Sequence, residues 1–512
     1  MKKITALLLT LLLLSGCSLG KQAYVPTGDA LHQDSTADAR PTQPPVSGDQ
    51  ILTLSYNPDG TFNPYTETDL SNRLLFSLLY QGLFSVDMNY NVAPVLCKSY
   101  SVSKDMKSYT FYLEDATFSD GSTLTAQDVL ASLNAARENP VYSGRFTHVK
   151  TISATEDGGI CVTLGIAYAD LPILLDIPIV KASTVGAKWP LGTGPYLKEE
   201  ALTGPRLVRS TAWWCTANLA ATAASISLLE VDSTAMQRDD FEFGNVSLVC
   251  ADPGSDNYVD FRCDYELWDC ENGIFLYLAC NEKSKVFSSA KLRSALTYAI
   301  DREYLVNAYY GDFAAAATLP ASPGSPYYSE KMAAQYAYDQ EKCLQMVQSS
   351  SIKNLEITLL VNSADSRRIR VAGEIADMLQ AVGFKVTLKK LSGSSYKNAL
   401  NKGNYDLHLG QTKLSANMDL SVFFAPKGTL NYGGLSDAAT YSLCQEAMAN
   451  AGNYYTLHQK IMSDGMLCPI LFRSYAVYGQ RGLFDTLYPA RDNVFWYDLG
   501  KTMEDARIQE TT

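Results

Sequence analysis

The chain has few of the residues that build metal centres and catalytic sites. Only four histidines occur among 512 residues, and none belongs to an H-E-x-x-H pattern. The eleven cysteines form neither C-x-x-C pairs nor Cys/His spacings of the zinc type. We therefore predict no metal site and no cofactor.

Positive charge is also scarce. Lys and Arg number 42 against 54 Asp and Glu, which gives a formal net charge of −12. A nucleic-acid partner needs a basic footprint, so this charge balance argues against that class of partner. The simplest interpretation of the acidity is solubility.

Two S-x-x-K spacings are the remaining catalytic pattern, Ser101 to Lys104 and Ser350 to Lys353. In penicillin-binding enzymes this spacing puts a serine nucleophile and its base on one helix turn. Here Ser101 lies in the lead-in to a predicted hairpin, and no K-T-G partner occurs. We therefore predict that the chain is not an enzyme.

Long apolar runs are limited to the N-terminus. Residues 4–14 are apolar and follow two lysines, a run too short to span a bilayer and typical of a signal-peptide core. The run ends in Leu-Ser-Gly-Cys17, which resembles a bacterial lipobox. That resemblance implies a signal peptide over residues 1–16 and lipidation of Cys17; a chance cysteine after an ordinary signal is the alternative. We expect an extracytoplasmic protein that an N-terminal lipid anchors to the cell membrane.

Residues 17–49 are predicted to be the lipidated cysteine and a flexible tether. They are rich in Pro, Gly, Ser, Thr and Asp, and such a composition cannot bury enough apolar surface to offset chain entropy. As a coil of about 30 residues the tether would reach roughly 30 Å.

The stretch from 97 to 137 carries the clearest fold signal. Apolar and polar residues alternate over 109–114, which predicts a half-buried strand. Residues 119–122 read Ser-Asp-Gly-Ser and predict a turn with a positive φ at the glycine. Thr125 precedes Asp128 by three positions, which predicts a capping box and a helix behind it.

Strand, F-S-D-G turn, L-T-A-Q-D-V cap and helix in this order resemble the signature segment of the family 5 solute-binding proteins, the oligopeptide, dipeptide and nickel receptors of ABC importers. Three further landmarks occur in the order that the family has. An N-P loop with an L-L-Y-Q-G-L-F helix precedes the signature segment, and G-T-G-P-Y at 192–196 and R-S-A-L-T-Y-A-I-D-R at 293–302 come after it. The G-T-G-P-Y loop is not followed by G-K-[ST] or G-x-G-x-x-G, so it is no phosphate cradle. The resemblance covers about residues 50 to 500.

The resemblance implies an α/β protein with the two-lobed periplasmic-binding-protein-like II fold, cluster C type, and an extra subdomain in the first lobe. The implied segments are a first lobe over 50–270 with the subdomain inserted at about 76–190, a second lobe over 271–467, and a return to the first lobe over 468–512.

The resemblance also implies function. The protein would be a monomer that captures a peptide-like or other small solute between its lobes and delivers it to an ABC permease and ATPase. A sensory or adhesion lipoprotein with the same fold is one alternative. A metal-chelate receptor of the nickel type is another, with His408 the one histidine on a strand that reaches the cleft.

A β-α-β-α-β pattern over 355–410 predicts parallel strands, and ligands bind beyond the carboxyl ends of such strands. The loop after the last strand is therefore a ligand-binding candidate, with Gln411, Lys413, Ala416 and Asn417. In peptide receptors of the family an Asp in this loop holds the ligand's α-amino group. Our alignment places that anchor on Ala416, so we expect ordinary free peptides to bind weakly or through other groups.

Two nearby features complete this interpretation. Asp419 is interpreted as the N-cap of the helix that follows. No arginine for a ligand carboxylate precedes Arg367 near the loop at 362–366.

The first lobe supplies the other ligand-binding candidates, although a structural turn at 192–196 and a buried tryptophan are the plain alternatives for four of them. These candidates are Tyr56, Asn57, Tyr65, Gly194, Tyr196, Trp213 and Trp214.

The ten cysteines after Cys17 are predicted to be buried free thiols, because several lie inside apolar runs. One disulfide among Cys250, Cys263 and Cys270 is the exception that the sequence leaves open.

Overall fold

A computed structural model describes residues 52–202, 204–215, 223–484 and 487. Cys17, the predicted signal peptide and the tether lie outside the described residues, as does most of the predicted C-terminal return after 484. Within the described ranges no helix has the length and apolarity needed to cross a membrane.

The strands of the described chain are numbered in chain order. They are β1 Leu52–Tyr56, β2 Phe84–Val86, β3 Val92–Pro94, β4 Cys97–Val102, β5 Ser108–Leu113, β6 Val149–Ala154, β7 Ile160–Leu164, β8 Tyr196–Ala201, β9 Gly204–Arg209, β10 Ser225–Glu230, β11 Leu248–Ala251, β12 Tyr265–Cys280, β13 Ala314–Ala316, β14 Glu356–Asn362, β15 Lys385–Leu391, β16 Leu407–Lys413 and β17 Leu467–Gln480.

The α-helices are numbered in the same way. They are α1 Leu70–Leu74, α2 Phe76–Leu79, α3 Ala126–Glu138, α4 Thr234–Glu242, α5 Ala290–Ala299, α6 Arg302–Tyr309, α7 Glu330–Ala333, α8 Gln340–Gln348, α9 Ser366–Ala381, α10 Gly393–Lys402, α11 Ser421–Phe424, α12 Ala438–Ala449 and α13 Tyr454–Asp464.

One sheet runs through both halves of the molecule. Its strand order is β15-β14-β16-β12-β17-β11-β1-β10-β9-β8, with β13 also paired to β17. β14 pairs in parallel with β15 and β16, and β1 pairs in parallel with β10 and β11. The predicted parallel strands of the second lobe are thus confirmed, and the long strands β12 and β17 join the two α/β halves.

A second, antiparallel sheet forms the core of the inserted subdomain. Its order is β4-β5-β7-β6, and α3 packs beside it. The predicted capping box is present, because the Asp128 carboxylate accepts from the Thr125 backbone N–H at 2.9 Å. Gly121 has the predicted positive φ, +80°.

The helix expected at the L-L-Y-Q-G-L-F segment is wrong in detail. The chain forms two short helices, α1 and α2, that meet at Leu75, and α2 ends at Tyr80 in extended conformation. Gly82 is needed for a close approach, because a Cβ there would lie 2.8 Å from the backbone oxygen of Phe84.

The predicted burial of the cysteines is confirmed for most of them and wrong for Cys161, Cys215 and Cys263, which are half-buried. Cys97, Cys250, Cys280, Cys343, Cys444 and Cys468 are buried and carry free thiols. Cys263 cannot reach Cys270. The five steps of extended β12 from Tyr265 to Cys270 span roughly 16 Å, and the two residues from Cys263 to Tyr265 are too few to bring Cys263 back within the reach of a disulfide. The disulfide left open by the sequence is therefore excluded.

Gly194→Ala is expected to destabilise the fold. A Cβ at Gly194 would lie 2.5 Å from the backbone oxygen of Leu78 and from the carbonyl carbon of Leu79, and backbone atoms of α2 cannot move aside cheaply. We expect a loss of about 2 kcal/mol, typical of overpacking. Chemical denaturation measures it, with Gly186→Ala as the control because nothing lies within 4 Å of a Cβ there. Equal stabilities of the two variants would contradict the close contact.

Candidate functional site

A cavity of about 490 Å³ lies at the carboxyl ends of the parallel strands β1, β10 and β11. Asn57, Asp232 and Asp252 follow these three strands and line it. The volume falls in the range of small-molecule sites, and the position is where open α/β sheets bind ligands. This cavity is the candidate functional site.

Hydrogen bonds fix the floor of the cavity. Gln237 in α4 is buried and donates through Nε2 to Ser55 Oγ at 3.2 Å and to Ser71 Oγ at 2.8 Å. Asp69 accepts from the Ser71 backbone N–H at 2.8 Å and from Asn57 Nδ2 at 3.2 Å. The polar groups on this wall are therefore held in place by α1 and α4.

The loop from 252 to 264 covers the cavity. Asp252 accepts from the Gly254 backbone N–H at 2.8 Å and forms an ion pair with Arg473 on β17. The side chain of Arg473 is 6% exposed. The pair fixes the start of the loop to a strand that both halves share. Breaking it would be costly, because the buried Arg473 charge would then be left uncompensated.

The loop after β16 is closed off by the inserted subdomain. Ala416, Asn417 and Met418 are buried, and His148 of the subdomain lies 2.8 Å from Asp419, Nε2 to Oδ2. The backbone N–H of Ala169 donates to the Met448 carbonyl at 3.0 Å beside this contact. In this conformation the subdomain packs directly on the loop.

Known proteins resemble the chain in sequence and in fold. The family model "Bacterial extracellular solute-binding proteins, family 5 Middle" matches residues 91–431. The chain belongs to this family.

Individual relatives agree with the family. The oligopeptide-binding protein AppA of Bacillus subtilis is 22% identical, over 90% of this chain and 91% of its own. The glutathione-binding protein GsiB of Escherichia coli is 26% identical, over 64% of this chain and 66% of its own. The crystal structure of the ABC transporter substrate-binding protein CtaP of Listeria monocytogenes superposes with a TM-score of 0.69 at 21% identity, covering 88% of this chain and 98% of that one. The predicted family and two-lobed fold are confirmed.

In this family 5 protein the predicted site residues of the first lobe lie in separate places. Asn57 lines the cavity, and Tyr56 before it donates to Glu230 at 2.6 Å. Burial, reinforced by that carboxylate, raises the pKa of Tyr56 above its usual value. Tyr65 is buried and donates to the Pro178 carbonyl at 2.8 Å.

The G-T-G-P-Y loop and the tryptophan pair form a second group. Gly194 packs on α2, and Tyr196 donates to the Ala223 carbonyl at 2.9 Å. Trp213 donates to the Thr193 carbonyl and Trp214 to the Gln81 side chain, both at 2.9 Å. These residues contact one another's segments rather than the cavity.

The second-lobe candidates lie on and after β16. Gln411 and Lys413 pair with Leu276 and Ile274 of β12, at the carboxyl end of the parallel strands, and Lys413 is exposed. The Asn417 carbonyl accepts a hydrogen bond from the Tyr454 hydroxyl.

The interpretation of Asp419 as an N-cap is off by one residue. Leu420 occupies the N-cap of α11, while Asp419 Oδ1 accepts from the Ser421 backbone N–H at 2.8 Å. Burial acts to raise the pKa of Asp419, but the hydrogen bond and charge of His148 and the bonds from Ser421 outweigh burial and lower that pKa. Asp419 is therefore an ionised partner of His148.

The residues that hold the cavity walls were missed in the sequence. Asp69, Gln237 and Arg473 carry no motif, and they meet only after distant segments pair. Asp252 alone left a signal, since it directly follows a short apolar strand and begins a Pro-Gly turn.

Metal binding finds no support in the described residues. No group of three or more His, Cys, Asp or Glu side chains is placed there to hold an ion. His408 is buried on β16, and burial lowers its pKa to about 4. It lies within an aromatic cluster, with ring centroids 5.1 Å from Tyr405 and 5.8 Å from Tyr277.

Two buried carboxylates lie where β12 crosses between the halves. Glu271 accepts from the Tyr90 hydroxyl at 2.9 Å and from the Ser322 hydroxyl at 2.5 Å. Burial, with the charge of Glu271 as a further cause, raises the pKa of Asp269 to about 7.

Asp269→Asn is expected to change how stability depends on pH. The folded state binds a proton at Asp269 up to about pH 7, whereas an unfolded Asp releases it near pH 4. The raised folded pKa therefore gives stability that is present below about pH 4 and is lost as pH rises through 7. Asn does not ionise, so the variant should gain stability over the parent protein between pH 5 and pH 8.

Urea denaturation at pH 5 and pH 8 measures the difference. The control is Asp59→Asn, an exposed carboxylate. A stability difference between parent and Asp269→Asn that stays constant with pH would show that Asp269 ionises normally.

Proposed function

We propose that this family 5 protein is the receptor of an ABC importer and captures a small solute at the candidate cavity, which its first half lines. The observation that carries the proposal is the cavity of about 490 Å³ beyond the parallel strands of the first half, bordered by a loop tied to the strand β17 that both halves share. Capture would close the two halves, making a minor closed state the dominant one. The monomer then hands the solute to a permease and ATPase, without covalent chemistry.

The loop after β16 is proposed to lack an anchor for a ligand's α-amino group. Ala416 at the aligned anchor position has no polar side-chain group. Both side-chain oxygens of Asp419 are engaged, one by His148 and one by the Ser421 N–H. A desolvated ammonium needs a charged partner, and the loop offers it none at these positions. Gln411 and the exposed Lys413 are the proposed replacements, and Lys413 favours a ligand with a carboxylate.

A thermal-shift screen of the purified mature protein tests this proposal. The pools are di-, tri- and pentapeptides, sugars and metal chelates, with calorimetry on each hit. Any peptide hit is compared with its N-acetylated form. We expect similar affinities, whereas an anchored amine would lose about 100-fold, since a hydrogen bond to a charged group contributes about 3 kcal/mol. Submicromolar binding that requires the free amine would contradict the alignment of Ala416.

A cavity-filling variant locates the binding site. Thr234 is exposed at the start of α4 and lines the cavity, so Thr234→Trp should abolish binding of a screened ligand. Thr123→Trp, on an exposed turn of the subdomain, is the matched control. Unchanged affinity in Thr234→Trp would place the ligand elsewhere.

The membrane anchor is proposed to be the lipid on Cys17. Cys17→Ser removes the thiol that carries the diacylglycerol, so the variant should leave the detergent phase in phase partitioning, or remain an unprocessed precursor on a gel. The matched control is Cys161→Ser, a thiol within the fold. Unaltered partitioning and processing of Cys17→Ser would exclude this anchor.

A further inference from the structure

The loop between β11 and β12 contacts three parts of the molecule. Its first ten residues, 252–261, are called the clasp below. Asp252, Ser255 and Tyr258 of the clasp line the cavity. Between them, Asp256 reaches the second half, where its carboxylate accepts from Ser366 twice, from the backbone N–H at 3.1 Å and from the hydroxyl at 2.5 Å.

Ser366 is the first residue of α9, a helix of 16 residues. The first amide groups of a helix have no partner within the helix, and negative charge is favourable there. The N-cap residue Asp365 accepts from the Arg368 N–H at 2.8 Å, and Asp256 takes the Ser366 N–H that remains. The bonds from Ser366 lower the pKa of Asp256, which keeps the carboxylate charged. A carboxylate of the first half thus caps a helix of the second.

The ends of the clasp are fixed to β17. Asp252 forms its ion pair with Arg473, and a Cβ at Gly254 would lie 1.9 Å from Arg473 Nη2, so the backbone approaches the guanidinium as only glycine allows. The hydroxyl of Tyr258 meets that of Tyr478 at 2.5 Å. Asp256 lies between these two attachment points, next to the cavity-lining Ser255.

We propose that Asp256 is a positioning residue that couples occupancy of the cavity to the placement of α9, and so to closure of the second half. The inference rests on the proposed function, because it takes the same cavity as the ligand site. A solute that contacts Ser255 and Tyr258 in the cavity wall holds Asp256 between them, and so stabilises the cap on α9.

A double-mutant cycle tests the coupling without an identified ligand. Thr234→Trp fills the cavity from the start of α4, outside the clasp. Hydrogen exchange of a peptide covering 362–372 reports on the first turn of α9. We expect Thr234→Trp to change the exchange rate of these amides at least about fivefold, the lower end of usual coupling. The same substitution should have no effect in an Asp256→Ala background and a partial effect with Asp256→Asn, which keeps an acceptor.

Asp264→Ala is the matched control, since it removes an exposed carboxylate of the same loop outside the clasp and should leave the coupling intact. An effect of Thr234→Trp that persists in Asp256→Ala would overturn the proposal, as would no effect of Thr234→Trp in the parent protein. If Thr234→Trp does not fold, the smaller Thr234→Phe takes its place. If a ligand binds in calorimetry but the cycle shows no coupling, the role of Asp256 is refuted and the proposed function stands. If the ligand screen fails but the coupling is present, the proposed function is refuted and the role of Asp256 stands.

Discussion

The pairing of β12 with β17 is the constraint on which the other features of the protein depend. Both strands are almost wholly buried, so each of their backbone groups needs a partner. They pair with one another over most of their length, and their other edges pair with β16, β11 and β13. The pairing shifts register between Glu271 and Phe275, beside Gly273 at φ +73°. This irregularity lies where the strands pass from one half to the other. Asp252 of the clasp is attached within a few residues of it, and so are the buried carboxylates Asp269 and Glu271.

Much of the architecture could be predicted because its signals are local. The capping box at Thr125, the turn at Gly121 and the βαβ alternation over 355–410 each depend on residues close together in the chain. Side-chain periodicity and cap chemistry act over one or two turns, so a single sequence displays them. The break between α1 and α2 was missed because it depends on what the helix packs against.

The candidate site was predicted less well, since long-range contacts decide it. His148 and Asp419 are 271 positions apart and Arg473 and Asp252 are 221 apart. Tyr65, Tyr196 and Trp213 have the aromatic character of ligand contacts, yet each donates its hydrogen bond to a backbone carbonyl. Residue type alone does not separate a binding aromatic from one that satisfies a buried peptide group.

The contact of His148 with Asp419 has a mechanical consequence. The inserted subdomain belongs to the first lobe by chain order and is hydrogen-bonded to it, for example from the Ser119 N–H to the Gly192 carbonyl. The same subdomain holds the second half through the nearly buried hydrogen bond between His148 and Asp419. The two halves are therefore bridged by the paired strands, by the clasp at Ser366 and through the subdomain, which makes closed rings of contacts. A closed ring cannot bend at one point, so the halves separate only when the contacts of the clasp and of the subdomain both open and water reaches their side chains.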